Sequence, residues 1–429
     1  MIKKILVVLV VLLSAKAMAQ RNNSSPYSFF GIGEEFHPKT AEQAAMGGIG
    51  VAFGANNYIN FINPAANANL RYATYSFGGL VNRLTLNEPD ASQTGTSTSL
   101  QYVALGFPIG KKAGASFGIQ PLTSVGYSLT SQLLGTEGEV LSATKFQGAG
   151  GTNRLYASFG VQVFKGLSLG LETGFIFGTI DNSILNQRDD VHLASKHKQV
   201  AVIRGSAHKL GLQYQTILKG DLTLHAGATV RLENTMKATG NELLYSLSFG
   251  SAGTEVPRDT ILNIDITGKI TDPIQTIVGL GLGKSNKWYL GANYESKNAL
   301  KSQGYLIEEG TAYAYGKSNR FSVGGFYIPK MNSIASYWDR VTYRAGLRLE
   351  KTGLLVDGTG TATDFTSIDD FGISFGLGLP LGKKLSNLNL GLAYGKKGTT
   401  ENQLIQEEYF NVRLSLSLND LWFQKRRID

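Results

Sequence analysis

The sequence predicts an all-β fold, a 14-stranded antiparallel transmembrane β-barrel with an N-terminal hatch plugging the lumen. Three observations lead to this prediction. The chain begins with an apolar leader of the kind that directs export. Behind the leader, no apolar run approaches the ~18 residues of a membrane-spanning helix. The remaining chain alternates large apolar residues with small ones at the period of two of a strand. A membrane chain of this kind must close into a barrel.

The leader carries a basic start, Lys3 and Lys4, and a short apolar core at 5–15 (ILVVLVVLLSA). Small residues at 17 and 19 fit a cleavage site before Gln20. The core is shorter than the ~20 residues that cross a bilayer as a helix, so a signal peptide is favoured over a membrane anchor. We therefore predict a signal peptide at 1–19, a hatch at 20–70 and an outer-membrane barrel at 71–429.

Composition excludes several classes of protein. The net charge of +9 falls to +6 when the three leader lysines are removed. The remaining Lys and Arg residues do not interleave with aromatic residues on one face, so we expect no nucleic-acid partner. The chain has no cysteine and cannot be a disulfide scaffold. An exported barrel is expected in the outer membrane of a Gram-negative bacterium, surrounded by outer-membrane lipid.

The alternation is clearest in the last third of the chain. In 371–382 (FGISFGLGLPLG), the large apolar residues share one face and glycine, serine and proline occupy the other. The segments 388–395 and 410–418 repeat this pattern. A soluble β-sandwich would show a polar outer face instead. A second face of small residues is typical of a strand that faces a crowded lumen.

The connections between strands support the count of strands. Every second connection is short and basic, as in GKKA (110–113) and LKGD (218–221), whereas the alternate ones are longer and polar. Short turns on the periplasmic side and longer outer loops are characteristic of outer-membrane barrels. One turn-side connection, 329–340 (PKMNSIASYWDR), is an exception in length. The predicted strands are roughly 72–86, 98–110, 113–132, 153–165, 167–184, 199–217, 222–247, 260–283, 288–299, 319–329, 340–356, 368–382, 387–397 and 406–421.

Candidate chemical sites are few. Asp189, Asp190, His192 and His197 occur within one predicted outer loop, where either a divalent-ion site or a solvated polar loop is possible. The run GLGLGK (279–284) lacks the following helix that a phosphate-binding loop requires. No nucleophile–base pair stands out. We expect no catalytic residues, no cofactor and no metal, and therefore no enzyme.

Charged residues on the lumen-facing register of the strands are the best candidates for a functional site. By the parity of the strands, five of them point inward. Charges inside a barrel must pair or meet water. They form either an ion-pair network that fastens the hatch to the wall, or a polar constriction that binds the head group of a ligand. The five residues are Glu172, Arg344, Arg348, Glu350 and Arg413.

The region before the first strand does not alternate like a strand pair. It contains SSPYSFFGIGE (24–34), AEQAAMGGIGVAFG (41–54) and NFINPAANANL (60–70), and this series resembles the N-terminal hatch of the FadL-type outer-membrane barrels. The segment 272–294 resembles a strand–turn–strand of the same family, and the run from 336 onward resembles the C-terminal half of a bacteroidete-type branch. The residues that match the hatch are Gly31, Gly33, Met46, Gly47, Gly48, Asn63, Pro64 and Ala65.

The resemblance implies two functions. FadL-type members include long-chain fatty-acid transporters, which implies that a hydrophobic small molecule binds or passes between outer loops, hatch and wall. Related barrels serve as accessory or scaffold subunits of larger outer-membrane assemblies or secretion machines, which implies outer-membrane or periplasmic protein partners. The polar outer loops of this chain and its charged lumen favour the second function, and the family precedent favours the first.

Overall fold

The computed structural model describes residues 23–89, 91–251, 253–303, 312–382 and 386–421. The predicted signal peptide at 1–19 lies outside these residues. Helices are short: α1 spans Ala41–Ala44, and 3-10 turns span Pro26–Phe29 and Pro64–Asn69 near the start of the chain. Over the part of the chain that the structure describes, no helix has both the length and the apolar character needed to cross a membrane.

Over the described residues, nineteen strands form one sheet. Four pairs of consecutive strands, β8 with β9, β10 with β11, β12 with β13 and β14 with β15, each continue one another along the wall, so the wall is a closed barrel of 14 strands as predicted. The strands are β1 Glu34–Glu35, β2 Ala73–Asn87, β3 Ser92–Ile109, β4 Ala113–Leu134, β5 Val140–Phe164, β6 Leu167–Arg188, β7 Ala194–Ile217, β8 Leu222–Arg231, β9 Asn234–Phe249, β10 Glu255–Asp272, β11 Gln275–Lys284, β12 Trp288–Lys297, β13 Lys301–Gln303, β14 Tyr313–Tyr315, β15 Ser318–Tyr327, β16 Thr342–Val356, β17 Thr366–Leu381, β18 Ser386–Lys397 and β19 Gln406–Asp420.

The barrel closes where the last strand meets the first wall strand. β19 pairs with β2 in one antiparallel register from Gln406↔Asn87 to Asp420↔Ala73. The two faces of each strand differ as the alternation predicts. On β17, Phe371 and Phe375 are exposed on the outer face, and Gly372 and Gly376 are buried on the lumen face.

The strands on one side of the barrel are much longer than predicted. β5 has 25 residues and β7 has 24, whereas a bilayer is crossed by ~9–11 residues. Segments expected as outer loops, such as 134–151, are therefore largely strand. Their alternation is invisible in the sequence because both faces of a strand beyond the bilayer meet water and can be polar.

The wall is interrupted between β3 and β4. These strands pair only from Val103↔Ile119 to Ile109↔Ala113. Beyond this point, residues 122–127 of β4 are buried without alternation, which indicates that the strand bends into the lumen. There β4 pairs with the short strand β1 instead, with Glu34 opposite Ser124.

Residues 23–72, here called the N-terminal segment, run along the lumen side of the wall. Thr40 and Gln43 form a capping box that starts α1. A band of lumen-facing glycines in the turn-side half of the barrel touches this segment, and a side chain at any of them would collide with or crowd it. The small residues on the lumen-facing side of the strands thus leave space for the backbone of the N-terminal segment. The band consists of Gly114, Gly160, Gly170, Gly211, Gly227, Gly279, Gly324, Gly346 and Gly376.

Candidate functional site

Ion pairs join the N-terminal segment to the barrel wall. Glu34 Oε1 lies 2.8 Å from Lys397 Nζ on β18. Glu35 Oε2 lies 2.6 Å from Lys297 Nζ on β12, and its other oxygen lies 3.5 Å from Arg231 on β8. Consecutive residues of β1 point to opposite faces, so one short strand reaches distant parts of the wall.

Asp272 completes the group around Glu35. Its carboxylate lies 3.0 Å from both Arg231 and Lys297. Two cations therefore share two carboxylates in a buried site. The positive charges of Lys297 and Arg231 hold the pKa of the Glu35 carboxyl well below its usual range, against the opposing effect of burial.

A second group of charges surrounds His37. Arg320 binds Glu350 at 2.7 Å and Glu295 at 2.8 Å. His37 Nε2 lies 3.3 Å from Glu350 and accepts a hydrogen bond from Arg320. Burial, with the Arg320 charge, lowers the pKa of His37 below its ordinary value of 6.5 despite the nearby carboxylates. The neutral imidazole is therefore the favoured form, consistent with its role as an acceptor.

A third group holds the loop that follows α1. Glu172, predicted to face the lumen, is buried and lies 2.8 Å from Arg154 and 3.1 Å from Lys209. Lys209 also donates to the Phe61 carbonyl at 2.7 Å. The predicted lumen charge thus fastens the N-terminal segment indirectly.

The structure places the other predicted lumen charges as follows. Arg344 is buried, donates to Asn389 at 3.1 Å and lies over the Tyr58 ring. Arg348 binds Asp370 and donates to the Tyr409 hydroxyl at 2.7 Å. Glu350 belongs to the group around His37. Arg413 lines a cavity and makes no ion pair with any described residue.

The residues that resemble a hatch lie along the inner wall. Gly31 and Gly33 have positive φ, and Gly33 packs against the backbone of β4. Met46 and Gly47 lie against β15 and β16, and the Gly47 amide donates to Ser374 Oγ at 2.9 Å. Gly48 lies beside the Lys39 side chain.

The Asn-Pro-Ala motif caps the second 3-10 turn. Asn63 is fully buried, and its side-chain oxygen accepts from the Ala65 amide at 3.0 Å. Its side-chain nitrogen donates to the carbonyls of Val51 and Leu212. Pro64 starts the turn and needs no donor there. The motif therefore joins two parts of the N-terminal segment to β7.

A cavity of about 280 Å³ lies in the outer half of the lumen, beside the interruption in the wall. Its lining includes Gln101 on β3 and Leu122 on β4, the two sides of that interruption. Leu80, Leu84 and Leu354 contribute apolar lining, and seven carboxylates also line the cavity: Glu34, Glu35, Asp272, Glu295, Glu350, Asp370 and Glu407.

Two basic side chains, Lys39 and Arg413, face this cavity without a direct ion pair to a described carboxylate. Neither Lys39 nor Arg413 forms a salt bridge or hydrogen bond to the part of the chain that the structure describes. Burial and the Arg320 charge lower the pKa of Lys39 well below its usual range, against the opposing charges of Glu295 and Glu350. An anion bound here would favour the charged form of Lys39 and would pair with Arg413.

Sequence reasoning missed most partners of the wall charges. Glu34, Glu35, His37 and Lys39 lie in a polar stretch with no periodic pattern, and Lys297 and Lys397 end their strands. The parity of β18 could have identified Lys397, because it shares a face with Gly395. Nothing in the sequence indicates which residues of the N-terminal segment meet which strand.

The acidic and histidine-rich stretch at 189–197 does not form one loop. His197 lies within β7 and meets Glu242 at 2.6 Å, and Asp190 pairs with Arg188 at 2.9 Å. The strand pairing places His197 in β7, whereas Asp189, Asp190 and His192 stay in the short loop between β6 and β7. Among the described residues, no group of three or more His, Cys, Asp or Glu side chains is arranged to hold a metal ion.

A closed 14-stranded antiparallel barrel whose lumen contains an ion-paired N-terminal segment has the fold of the FadL-type β-barrels. The family model for BamG matches residues 1–429, and the chain belongs to the BamG family. A search of curated proteins finds no match to the chain.

Solved structures agree on the fold. The toluene transporter TodX of Pseudomonas putida has a TM-score of 0.58 at 15% identity, covering 91% of this chain and 99% of its own. The toluene transporter TbuX of Ralstonia pickettii has a TM-score of 0.57 at 14% identity, covering 91% and 99%. A FadL homologue of Pseudomonas aeruginosa has a TM-score of 0.58 at 15% identity, covering 91% and 100%. Identities this low show the fold alone.

Proposed function

We propose that the chain is a non-transporting accessory subunit of a larger outer-membrane assembly. It is exported by the signal peptide at 1–19, resides in the outer membrane of a Gram-negative bacterium, and carries residues 23–72 as a fixed hatch. The observation that carries this proposal is the band of lumen glycines packed against the hatch. Backbone fills the turn-side half of the barrel there.

The contacts of the hatch support a fixed rather than a moving plug. Its carboxylates Glu34 and Glu35 are paired with wall lysines, and the carbonyl of Phe61 accepts from Lys209. Breaking a buried ion pair costs ~3–5 kcal/mol, because it leaves an uncompensated charge. Opening the lumen would break several such contacts together.

Membership of the BamG family supports an accessory role with outer-membrane or periplasmic protein partners. A barrel with a filled lumen can present its rims and its outer wall to such partners without conducting anything. No catalytic role is part of this proposal.

Gentle detergent extraction of the tagged full-length chain tests the proposal. We expect a discrete complex of fixed stoichiometry by size-exclusion chromatography and mass spectrometry. A barrel that remains alone under every mild extraction contradicts an accessory role.

A second function is favoured by the cavity. Its leucine side chains, the basic residues Lys39 and Arg413 without a direct ion pair, and the interruption between β3 and β4 suit a hydrophobic molecule with an anionic head group. Its volume of about 280 Å³ approaches the ~300 Å³ at the lower end of ligand pockets. Such a molecule would enter from the outer side or through the wall, because the turn-side half of the lumen is filled. A lipid that stays bound to the barrel throughout purification in detergent would support this function.

A further inference from the structure

One turn-side connection differs from the others. The residues 329–340, here called the long turn, join β15 to β16, whereas the turns around 110–112, 165–166 and 285–287 need only two or three residues. An antiparallel hairpin closes with two to five residues, so the fold does not require this length. On a barrel of this class the turn side faces the periplasm.

The long turn is held in one shape by its own hydrogen bonds. The Lys330 amide donates to the Asp339 carbonyl at 2.8 Å, which closes the base of the loop. The buried Ser333 hydroxyl donates to the Asp339 carboxylate at 3.0 Å and accepts from the Ser336 amide at 3.2 Å. The loop is therefore a built structure and not slack chain.

Two aromatic residues fix its base to the barrel. The Tyr337 hydroxyl donates to the Pro380 carbonyl at 3.3 Å, and the Tyr343 hydroxyl donates to the Trp338 carbonyl at 3.2 Å. Arg340 stacks over the Tyr337 ring at 5.3 Å. These contacts place the aromatic pair at the rim.

Ile334 lies beyond this base with its side chain fully in water. Its exposed fraction is 103%, against 61% for Trp338. Burial of an isoleucine side chain stabilises a protein by ~1.5–3 kcal/mol. A loop of fixed shape that leaves its isoleucine exposed does not gain this stabilisation. Isolated exposed residues are ordinary on flexible loops, but this one is presented by a braced loop.

Basic residues at the base of the long turn and in the neighbouring turn form no ion pair with the described residues. Lys330 and Lys287 are exposed. The Ile328 amide donates to the Lys287 carbonyl at 2.7 Å, which holds the start of the long turn beside the turn at 285–287. Neither lysine nor Arg340 forms an ion pair with the described residues. Asp339 is the acidic residue of the loop, and its carboxylate accepts the hydrogen bond from Ser333 within the loop.

We infer that the long turn is a docking knob for a periplasmic partner subunit, and that Ile334 inserts into an apolar pocket whose rim is acidic. The inference rests on the proposed accessory function. Interface centres are enriched in large apolar and aromatic residues surrounded by polar rims. The lysines around the knob supply the complementary charge and the apolar tip supplies the affinity.

The alternative occupant is the inner leaflet of the outer membrane, since aromatic and basic residues also anchor barrels at the interface. A lipid anchor needs no internal bracing, whereas a protein pocket requires a fixed shape. Tyr337 and Trp338 at the rim suffice as an anchor. Ile334, set apart from them between small and polar neighbours, fits a pocket better than a lipid surface.

The full-length chain extracted in its native complex provides the test. Ile334→Asp is expected to reduce the fraction of the chain in the complex at least tenfold, and Ile334→Leu to preserve it. Lys330→Glu together with Lys287→Glu is expected to weaken the complex and to remove its sensitivity to salt. Ile261→Asp, on the exposed outer part of β10, is the matched control and should leave the complex intact.

The outcomes separate the inference from the proposed function. If the wild type forms no complex, both the accessory function and the knob are wrong. If the wild type forms a complex that Ile334→Asp leaves intact, the knob alone is wrong. Because the chain has no cysteine, Ile334→Cys can carry a single environment-sensitive fluorophore. A blue-shifted emission quenched by brominated lipid in vesicles of the isolated barrel would identify the membrane as the occupant and overturn the inference.

Discussion

Lys397 Nζ lies 2.8 Å from Glu34 Oε1, and this ion pair joins the end of a wall strand to the N-terminal segment across 363 positions of sequence. The neighbouring Lys396 points to the other face and pairs with Glu408 at 2.6 Å on the outer surface. Two consecutive lysines therefore form ion pairs on opposite faces of the wall, and Lys397 also lies 3.7 Å from Glu407 inside the barrel. This arrangement supplies an internal comparison.

We expect Lys397→Met to destabilise the attachment of the N-terminal segment by about 2–3 kcal/mol. This is less than the ~3–5 kcal/mol of a fully buried pair, because Glu34 is partly exposed and solvent screens it. Hydrogen exchange should accelerate over 23–36 and the urea midpoint should fall. Lys396→Met is the matched control and should change neither. Equal effects of the two substitutions would contradict a role for the buried pair.

Removal of both partners provides a second check on the same pair. The double variant Glu34→Gln with Lys397→Met removes both charges of this pair, so neither is left without its partner. It should therefore be more stable than Lys397→Met alone. The coupling appears as non-additivity in a double-mutant cycle. Additive losses would mean that Glu34 and Lys397 act independently.

The glycine band makes a steric prediction. Gly346 faces the backbone of Met46 and Gly47 with no space for a Cβ, whereas Gly79 has its nearest atom 3.8 Å from a Cβ position. Gly346→Leu should displace the N-terminal segment and cost at least the ~1–3 kcal/mol of overpacking. Proteolysis of folded barrels should then cut within 23–72. Gly79→Leu should remain resistant, and resistance of both variants would show that the contact is not needed.

Much of the barrel was predictable because it depends on local alternation. The number of strands and the face of Phe371 or Arg348 follow from parity alone. The split between β3 and β4 was not predictable, because it depends on which strand pairs with the edge residues of β4, such as Ser124. The outer extension of β5 was missed because residues such as Thr144 and Gln147 meet water on either face and carry no apolar period. Ion pairs such as Glu35–Lys297 depend on contacts distant in sequence.

The environment of His37 predicts a pH dependence. Burial and Arg320 place its pKa below 6.5 in the folded state, while Glu350 and Glu295 oppose this shift. His37 therefore binds a proton more readily in the unfolded chain than in the folded chain. Stability is full above the unfolded pKa and falls as the pH drops below it, by at most ~1.4 kcal/mol per pH unit.

Unfolding midpoints between pH 7.5 and 5.5 measure this effect, using ~0.5-unit steps so that the slope is resolved. His37→Gln should flatten the slope. His208→Gln, at an exposed histidine, should leave the wild-type slope unchanged. If His37→Gln and the wild type lose stability in parallel, the acid sensitivity arises elsewhere in the lumen.

The cavity predicts selectivity for charge in a bound amphiphile. Lys39 and Arg413 face it without a direct ion pair, so decanoate should bind more tightly than decanol, which has the same chain without the charge. A hydrogen bond to a charged group is worth ~1.5–3 kcal/mol, so Lys39→Met or Arg413→Met should weaken decanoate binding about 10- to 100-fold. Decanol binding should change little, because Leu80, Leu84 and Leu354 remain. Calorimetric titration of the purified barrel in a non-ionic detergent measures both affinities, with Lys396→Met as the control for a surface charge. A wild-type barrel that binds neither compound would exclude the ligand-binding function and leave the two cations as part of the fixed lumen.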